Sequence, residues 1–189
     1  MVSDFDSVRQ VCHARGILSL TVRDIVIIAH DIRSTHNVGA LLRTAECLGV
    51  QKVYLTGYTP YPVQPDDDRL PHVAQKLTSQ IHKTALGAEQ LVTWEHQAEV
   101  VDTLDRLQKE GYAIVALEQT ADSFALPAWV PPQKIALLLG REVEGIEQQL
   151  LKRCSFTVEI PQQGQKESLN VVQAAAIALY HVRFAPFSM

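Results

Sequence analysis

Six short apolar runs recur along the chain and limit what it can fold into: "DIVIIAH" at 24–30, "KVYLT" at 52–56, "LVTWE" at 91–95, "YAIVALE" at 112–118, "KIALLLG" at 134–140 and "FTVEI" at 156–160. Most of them are apolar at both odd and even positions. A strand with one wet face alternates in polarity, so unbroken apolarity implies cover on both faces. Segments with helical spacing lie between the runs, at 37–48, 97–110, 144–153 and 169–183, with one more at 4–15. Strand and helix in alternation predict an α/β fold: a mostly parallel sheet with helices on both faces. The stretch 57–84 carries four of the nine prolines and three aspartates in succession. It reads as a long surface excursion, a place where function concentrates.

With 189 residues and no internal repeat, one domain is expected, with a core at about 22–183 and a short helical extension over 1–20. No apolar run approaches the ~20 residues that span a bilayer. The opening "MVSDFDSVRQ" is acidic where a signal peptide is basic. Cys12, Cys47 and Cys154 are odd in number and far apart, which reads as reduced structural thiols in a cytoplasmic protein. The net charge of −4 leans against a partner bound by bulk charge, so any RNA must be met by a local patch or pocket. Several chemistries drop out. No phosphate-binding G-x-x-x-x-G-K-[ST] loop, G-x-G-x-x-G dinucleotide fingerprint or G-x-S-x-G elbow occurs. The seven histidines form no metal-binding spacing, and no metal is expected. The default place for a ligand is then the C-terminal ends of the strands.

Three loops follow strands there and carry unusual polar residues. In "HDIRSTHNVGALLRTAECLGV", Val38, Leu41, Leu42, Ala45 and Leu48 trace the buried face of a helix. Asn37 stands at its start and Arg43 lies farther along. As purely structural residues, Asn37 would be a cap and Arg43 a partner of Glu46. In "LLLGREVEGI", Gly140 and Gly145 flank Glu142, and Gly140 marks a sharp turn or a close approach. In "IPQQGQKESLNVVQAAAIAL", Ser168 is a possible N-cap and Asn170 a first-turn residue before an alanine-rich helix. Together they set uncharged donors and free backbone amides around one place, which suits a polar organic cofactor better than a phosphate.

"NVGALLR" (37–43), "LLLGREVEGI" (137–146) and the segment from Ile160 to Leu179 resemble, in order, the three motifs of the SpoU/TrmH branch of SPOUT methyltransferases. The resemblance covers about 22–183. It implies a C-terminal segment threaded into a deep trefoil knot, which periodicity cannot reveal. It also implies S-adenosylmethionine as methyl donor, a ribose 2′-hydroxyl of tRNA or rRNA as acceptor, and a homodimer that completes the site. Carried over by motif position, backbone groups of the loops at Leu138, Leu139, Gly140, Ile160, Pro161, Ser168 and Leu169 would hold the cofactor. Arg43 would act at the hydroxyl, with Asn37 and Glu142 positioning it and Ser168 and Asn170 organising the third loop.

A guanidinium keeps its proton at neutral pH, so Arg43 is expected to grip a phosphate and stabilise the developing alkoxide instead of acting as a base. RNA contacts are expected at Arg33, His36, Lys76, Lys83 and Arg141, and along the excursion at Arg69, His72 and His82. Asp66, Asp67 and Asp68 read as a solvated turn or a helix start, with no metal. The rivals are a knotted enzyme methylating an RNA base and a non-catalytic RNA binder of the same fold. The last helix, "VVQAAAIALYHV", is the interface candidate, although its alanines equally suit packing within one chain.

Overall fold

The computed structural model describes residues 22–186. The helix expected at 4–15, and Cys12 with it, lie outside them. The described strands are β1 (Asp24–His30), β2 (Lys52–Thr56), β3 (Trp94–Gln97), β4 (Ala113–Leu117), β5 (Phe124–Ala125), β6 (Lys134–Leu139) and β7 (Phe156–Glu159). The helices are α1 (Thr35–Cys47), α2 (Pro71–Ala85), α3 (Val100–Lys109), α4 (Gln148–Leu151) and α5 (Val171–Phe184). The strands form one sheet in the order β3-β2-β1-β6-β4-β7-β5, and every pairing is parallel.

Side chains alternate across a strand, and each face of this sheet has its own core. Ile25, Ile27 and Ala29 of β1 and Leu137 and Leu139 of β6 pack against Leu41 and Leu42 of α1 and Ala175, Ala178 and Leu179 of α5. Val26, Ile28, Ala136 and Leu138 point the other way, onto Leu104 and Leu107 of α3 and Leu150 of α4. The apolar runs are continuous because both faces are covered. Burial of a side chain such as Ile27 contributes about 1.5–3 kcal/mol, so each two-sided strand is a large share of the driving force.

Two arginines tie the end of α5 back to the start of the sheet. The buried Arg23 donates to the carbonyls of Pro131, Val182, Ala185 and Pro186, and burial lowers its pKa from the ordinary arginine value. Arg183 donates to Leu48, Gly49 and Arg23. Carbonyls that a helix terminus leaves without intrahelical partners are satisfied this way.

Three expectations need correction. The stretch 57–84 is not all loop, because its second half forms α2. Pro71 sits at the first helical position, where it starts a helix instead of breaking one, and the buried face is only Ala74, Ile81 and Ala85. That sparse pattern hid the helix. The helix expected at 144–153 shrinks to α4, because 141–145 forms a tight reversal in which Arg141 and Gly145 exchange backbone hydrogen bonds. The aspartate run is not simply solvated: the Asp67 side chain is only 7% exposed and accepts from Gln64 N and from Arg69. The Arg69 guanidinium holds the Asp67 carboxyl well below the usual carboxylate range.

Candidate active site

The loops after β1, β4, β6 and β7 all emerge at one edge of the sheet, the C-terminal ends where open parallel sheets bind ligands. A cleft of about 330 Å³ opens there, within the ~300–1,000 Å³ usual for small-molecule sites. Its walls are apolar at Leu117, Leu139, Ile160 and Leu169 and acidic at Glu118, Glu142, Glu159 and Glu167.

Hydrogen bonds join the three motif loops at this edge. Ser34 caps α1, its side chain accepting from Asn37 N at 3.3 Å, so the Asn37 side chain has no capping duty. Asn37 Nδ2 donates to Glu142 Oε1 at 3.0 Å, and Asn37 Oδ1 accepts from Asn170 Nδ2 at 3.2 Å. Both ends of one amide are therefore engaged, which fixes its orientation. Asn170 is itself the cap of α5, accepting from Val172 N at 2.9 Å, in place of Ser168. One residue thus starts the last helix and holds the first motif to the third.

The second motif is shaped by exclusion. A methyl group on Gly140 would stand 2.6 Å from Ile146 Cγ1 and 2.8 Å from the Gly145 carbonyl, because the reversal folds back over it. Gly145 has φ +69°, and a Cβ there would lie 2.3 Å from Glu118 Oε2. Glu118 in turn accepts from Ile146 N at 2.9 Å and Gln119 N at 3.0 Å. It clamps the loop that carries Glu142.

A charged cluster adjoins the cleft through Arg141, which also lines it. Asp31, the residue after β1, has φ +57°, accepts from Tyr58 N at 3.1 Å and stands 3.7 Å from Arg141 Nε. Arg141 also pairs with Glu147. Beside them His30 shares a contact with Thr56 Oγ1 at 3.0 Å, and burial lowers its pKa from the ordinary histidine value against the opposing pull of Asp31. Cys154 is partly buried on the other face, and desolvation pushes its thiol up to about 11, so it is no nucleophile at neutral pH.

The sequence-predicted residues divide accordingly. Asn37, Glu142 and Asn170 are bonded together, and Leu139, Gly140, Ile160, Ser168 and Leu169 line the cleft. The Leu138 side chain faces away from it: one residue before Leu139 in an alternating strand, it is buried on the opposite face, which leaves only its backbone to the cleft side. Pro161 is exposed and outside the lining. Arg43 is exposed on α1 and has neither a hydrogen bond nor an ion pair with any described residue, its expected partner Glu46 included. Of the RNA candidates, Arg33, His36, His72, Lys76, His82 and Lys83 are exposed. Arg69 and Arg141 are committed to internal carboxylates, which counts against a primary role in RNA contact. Sequence reasoning missed Glu118 and Glu159. The available signal was position, an acid at the end of an apolar run, as with Glu142.

A family model described as the SpoU rRNA Methylase family matches residues 24–180. The chain belongs to the SpoU family. Among curated relatives, a 23S rRNA (guanosine-2′-O-)-methyltransferase RlmB of Coxiella burnetii is 30% identical to this SpoU chain over 97% of it and 68% of the relative. A tRNA (guanosine(18)-2′-O)-methyltransferase of Borreliella burgdorferi is 25% identical over 95% of the chain and 75% of the relative. In fold the chain resembles an AdoMet-bound rRNA methyltransferase from Sinorhizobium meliloti, with a TM-score of 0.70 and 20% identity over 90% of this chain and 60% of that one. No described helix is long and apolar enough to cross a membrane, and no described group of His, Cys, Asp and Glu could hold a metal ion.

Proposed function

We propose that this SpoU chain transfers a methyl group from S-adenosylmethionine to a ribose 2′-hydroxyl of tRNA or rRNA, as one catalytic domain at about 22–183 acting in the cytoplasm. The observation that carries the reading is the bonded set Asn37, Glu142 and Asn170, which draws three motif loops to the rim of one cleft. The names of the Coxiella and Borreliella relatives support the acceptor class, and the AdoMet-bound neighbour supports the donor.

The cleft fits such a cofactor. Its apolar walls suit a flat adenine, and its carboxylates suit a ligand bearing a sulfonium and an ammonium. Leu139, Gly140, Ile160, Ser168 and Leu169 would hold it. When bound, it supplies a methyl group already activated for attack by an oxygen. What remains for the protein is the hydroxyl. Glu142, kept in place by Asn37, presents its other carboxylate oxygen to a ribose hydroxyl. A guanidinium from Arg43 grips the adjoining phosphate and stabilises the oxyanion as the hydroxyl proton passes to that Glu142 oxygen and the methyl leaves the sulfonium for the ribose oxygen.

Arg43 makes no bond to the Asn37 set of its own chain, and this favours a site completed by a second copy. The exposed side of α5 offers a surface for it. Ile177, Tyr180 and Phe184 recur along one stripe, with Tyr180 and Phe184 rings 4.7 Å apart. The C-terminal knot of the family goes with this reading and would be formed by the segment from β7 into α5.

The test is to incubate the protein with S-adenosylmethionine and unmodified tRNA or rRNA, then locate new methyl groups by mass spectrometry of nucleosides. A 2′-O-methylated nucleoside is expected from one RNA class. A base-methylated nucleoside would move the assignment to the base-methylating rival, and no transfer from either would refute catalysis on these RNAs. Mixing Arg43→Ala with Asn170→Ala tests the shared site: activity returns if Arg43 works across the dimer, and stays absent if each chain is self-sufficient.

A further inference from the structure

A second cleft, of about 460 Å³, lies on the other side of the loop after β1. Its lining includes Arg33, Tyr58, Tyr61, Arg69 and His96. Tyr61 and His96 stack with centroids 4.0 Å apart and planes at 21°. The Arg69 guanidinium lies 3.5 Å from the Tyr61 centroid, held there by Asp67 and by the carbonyls of Tyr61 and Pro62. Tyr58 differs from these packed rings in being 51% exposed. Arg33 lies 5.9 Å from its ring centroid and is itself mostly exposed.

The backbone under Tyr58 is held firmly. Its N–H donates to Asp31, and Gly57 before it has φ +66°, with no room for a Cβ, which would stand 2.0 Å from Asp31 Oδ1. Thr59 Oγ1 bridges the next residue to Ala29 O and Ile32 N. An exposed ring on a fixed backbone loses little freedom when a flat ligand covers it. Arg33 also spans 3.4 Å to Glu144, in the reversal that carries Glu142, and Thr35 opens the helix that carries Asn37. The aromatic cleft and the candidate reaction site therefore share one rim.

We propose that this cleft receives an unstacked base of single-stranded RNA, laid on Tyr58 under Arg33, next to the nucleotide whose ribose is presented to Asn37 and Glu142. The proposal rests on the methyltransferase reading for its RNA partner. A nucleobase fits because every base has a π-face, and because single-stranded RNA is recognised by stacking on tyrosine and arginine planes. The alternative of holding RNA by charge alone suits this chain poorly, given its net charge of −4. Arg69 belongs to the floor of the cleft, and the exposed Arg33, which already interacts with the Tyr58 side chain and Glu144, is the cation that would turn to the ligand.

The test uses a short single-stranded RNA carrying a fluorescent aminopurine, whose emission is quenched when the base stacks. Wild type, Tyr58→Ala and Tyr58→Phe are compared for quenching, for RNA affinity and for affinity to S-adenosylhomocysteine. The expected result is quenching by wild type and Tyr58→Phe, and a roughly five- to hundredfold weaker RNA affinity with lost quenching in Tyr58→Ala. Cofactor affinity stays unchanged in all three, which rules out misfolding. The proposal is overturned if wild type does not quench the probe, or if Tyr58→Ala binds and quenches like wild type. Methyl transfer by wild type alongside an unaffected Tyr58→Ala would discard the base platform and keep the reaction. Tyr58-dependent quenching by a protein that transfers no methyl group would do the reverse.

Discussion

Asn37 has a carboxylate on one side and an amide on the other, and its value lies in being neutral and two-ended. Asn37→Asp places a second carboxylate against Glu142 and removes the donor. A hydrogen bond to a charged group contributes about 1.5–3 kcal/mol, so kcat is expected to fall roughly ten- to hundredfold and the melting temperature to drop by several degrees. Steady-state methyl transfer beside a thermal melt checks both halves. Arg43→Lys keeps the charge and loses the planar fork; near-complete retention of rate would deny the fork any role. His30 sets a pH dependence. Burial holds its folded pKa below the unfolded value, so the unfolded chain takes up the proton first and stability is lost as pH falls through about 6.5. Melting temperatures at pH 7.5 and 5.5 are expected to drop for wild type and to drop less for His30→Asn. An equal drop in both would assign the loss to other groups.

Helices α1 and α2 meet where Gly39 leaves no gap. A Cβ there would stand 2.2 Å from the Ile81 carbonyl oxygen, a backbone atom that cannot swing aside. Gly39→Ala is expected to destabilise by about 1–3 kcal/mol, read from denaturant unfolding, even though alanine is the better helix former. Nothing in the string "NVGALLR" announces this contact, since its partner lies in a segment whose helix was hidden by a leading proline and few apolar residues. The strands were far more legible: β1 and β2 span the very residues their apolar runs mark, because a strand covered on both faces writes itself as an unbroken run. Sites fall between these cases. Asn170 was legible as a polar residue before a helix, but its bond to Asn37 joins residues far apart in the chain, and no local pattern encodes that. Leu138 shows another limit: a motif names a position, and only the alternation of the strand says which face its side chain takes.

For the whole molecule, the order of the strands in space departs from their order in the chain. β6 lies between β1 and β4, bonded to both, so the middle of the sheet joins the earliest described strand to one made much later. The wide separation slows folding, since chain closure comes before the contacts that reward it. It also bears on synthesis. A ribosome that has released β1 through β4 holds a chain whose most apolar strands still have open edges, and such edges recruit other chains. Nascent chains stalled before Lys134 are expected to be cut rapidly by protease and to bind chaperones. Chains stalled after Phe184 has cleared the exit tunnel are expected to resist both, so birth on the ribosome is the most vulnerable interval in this protein's life.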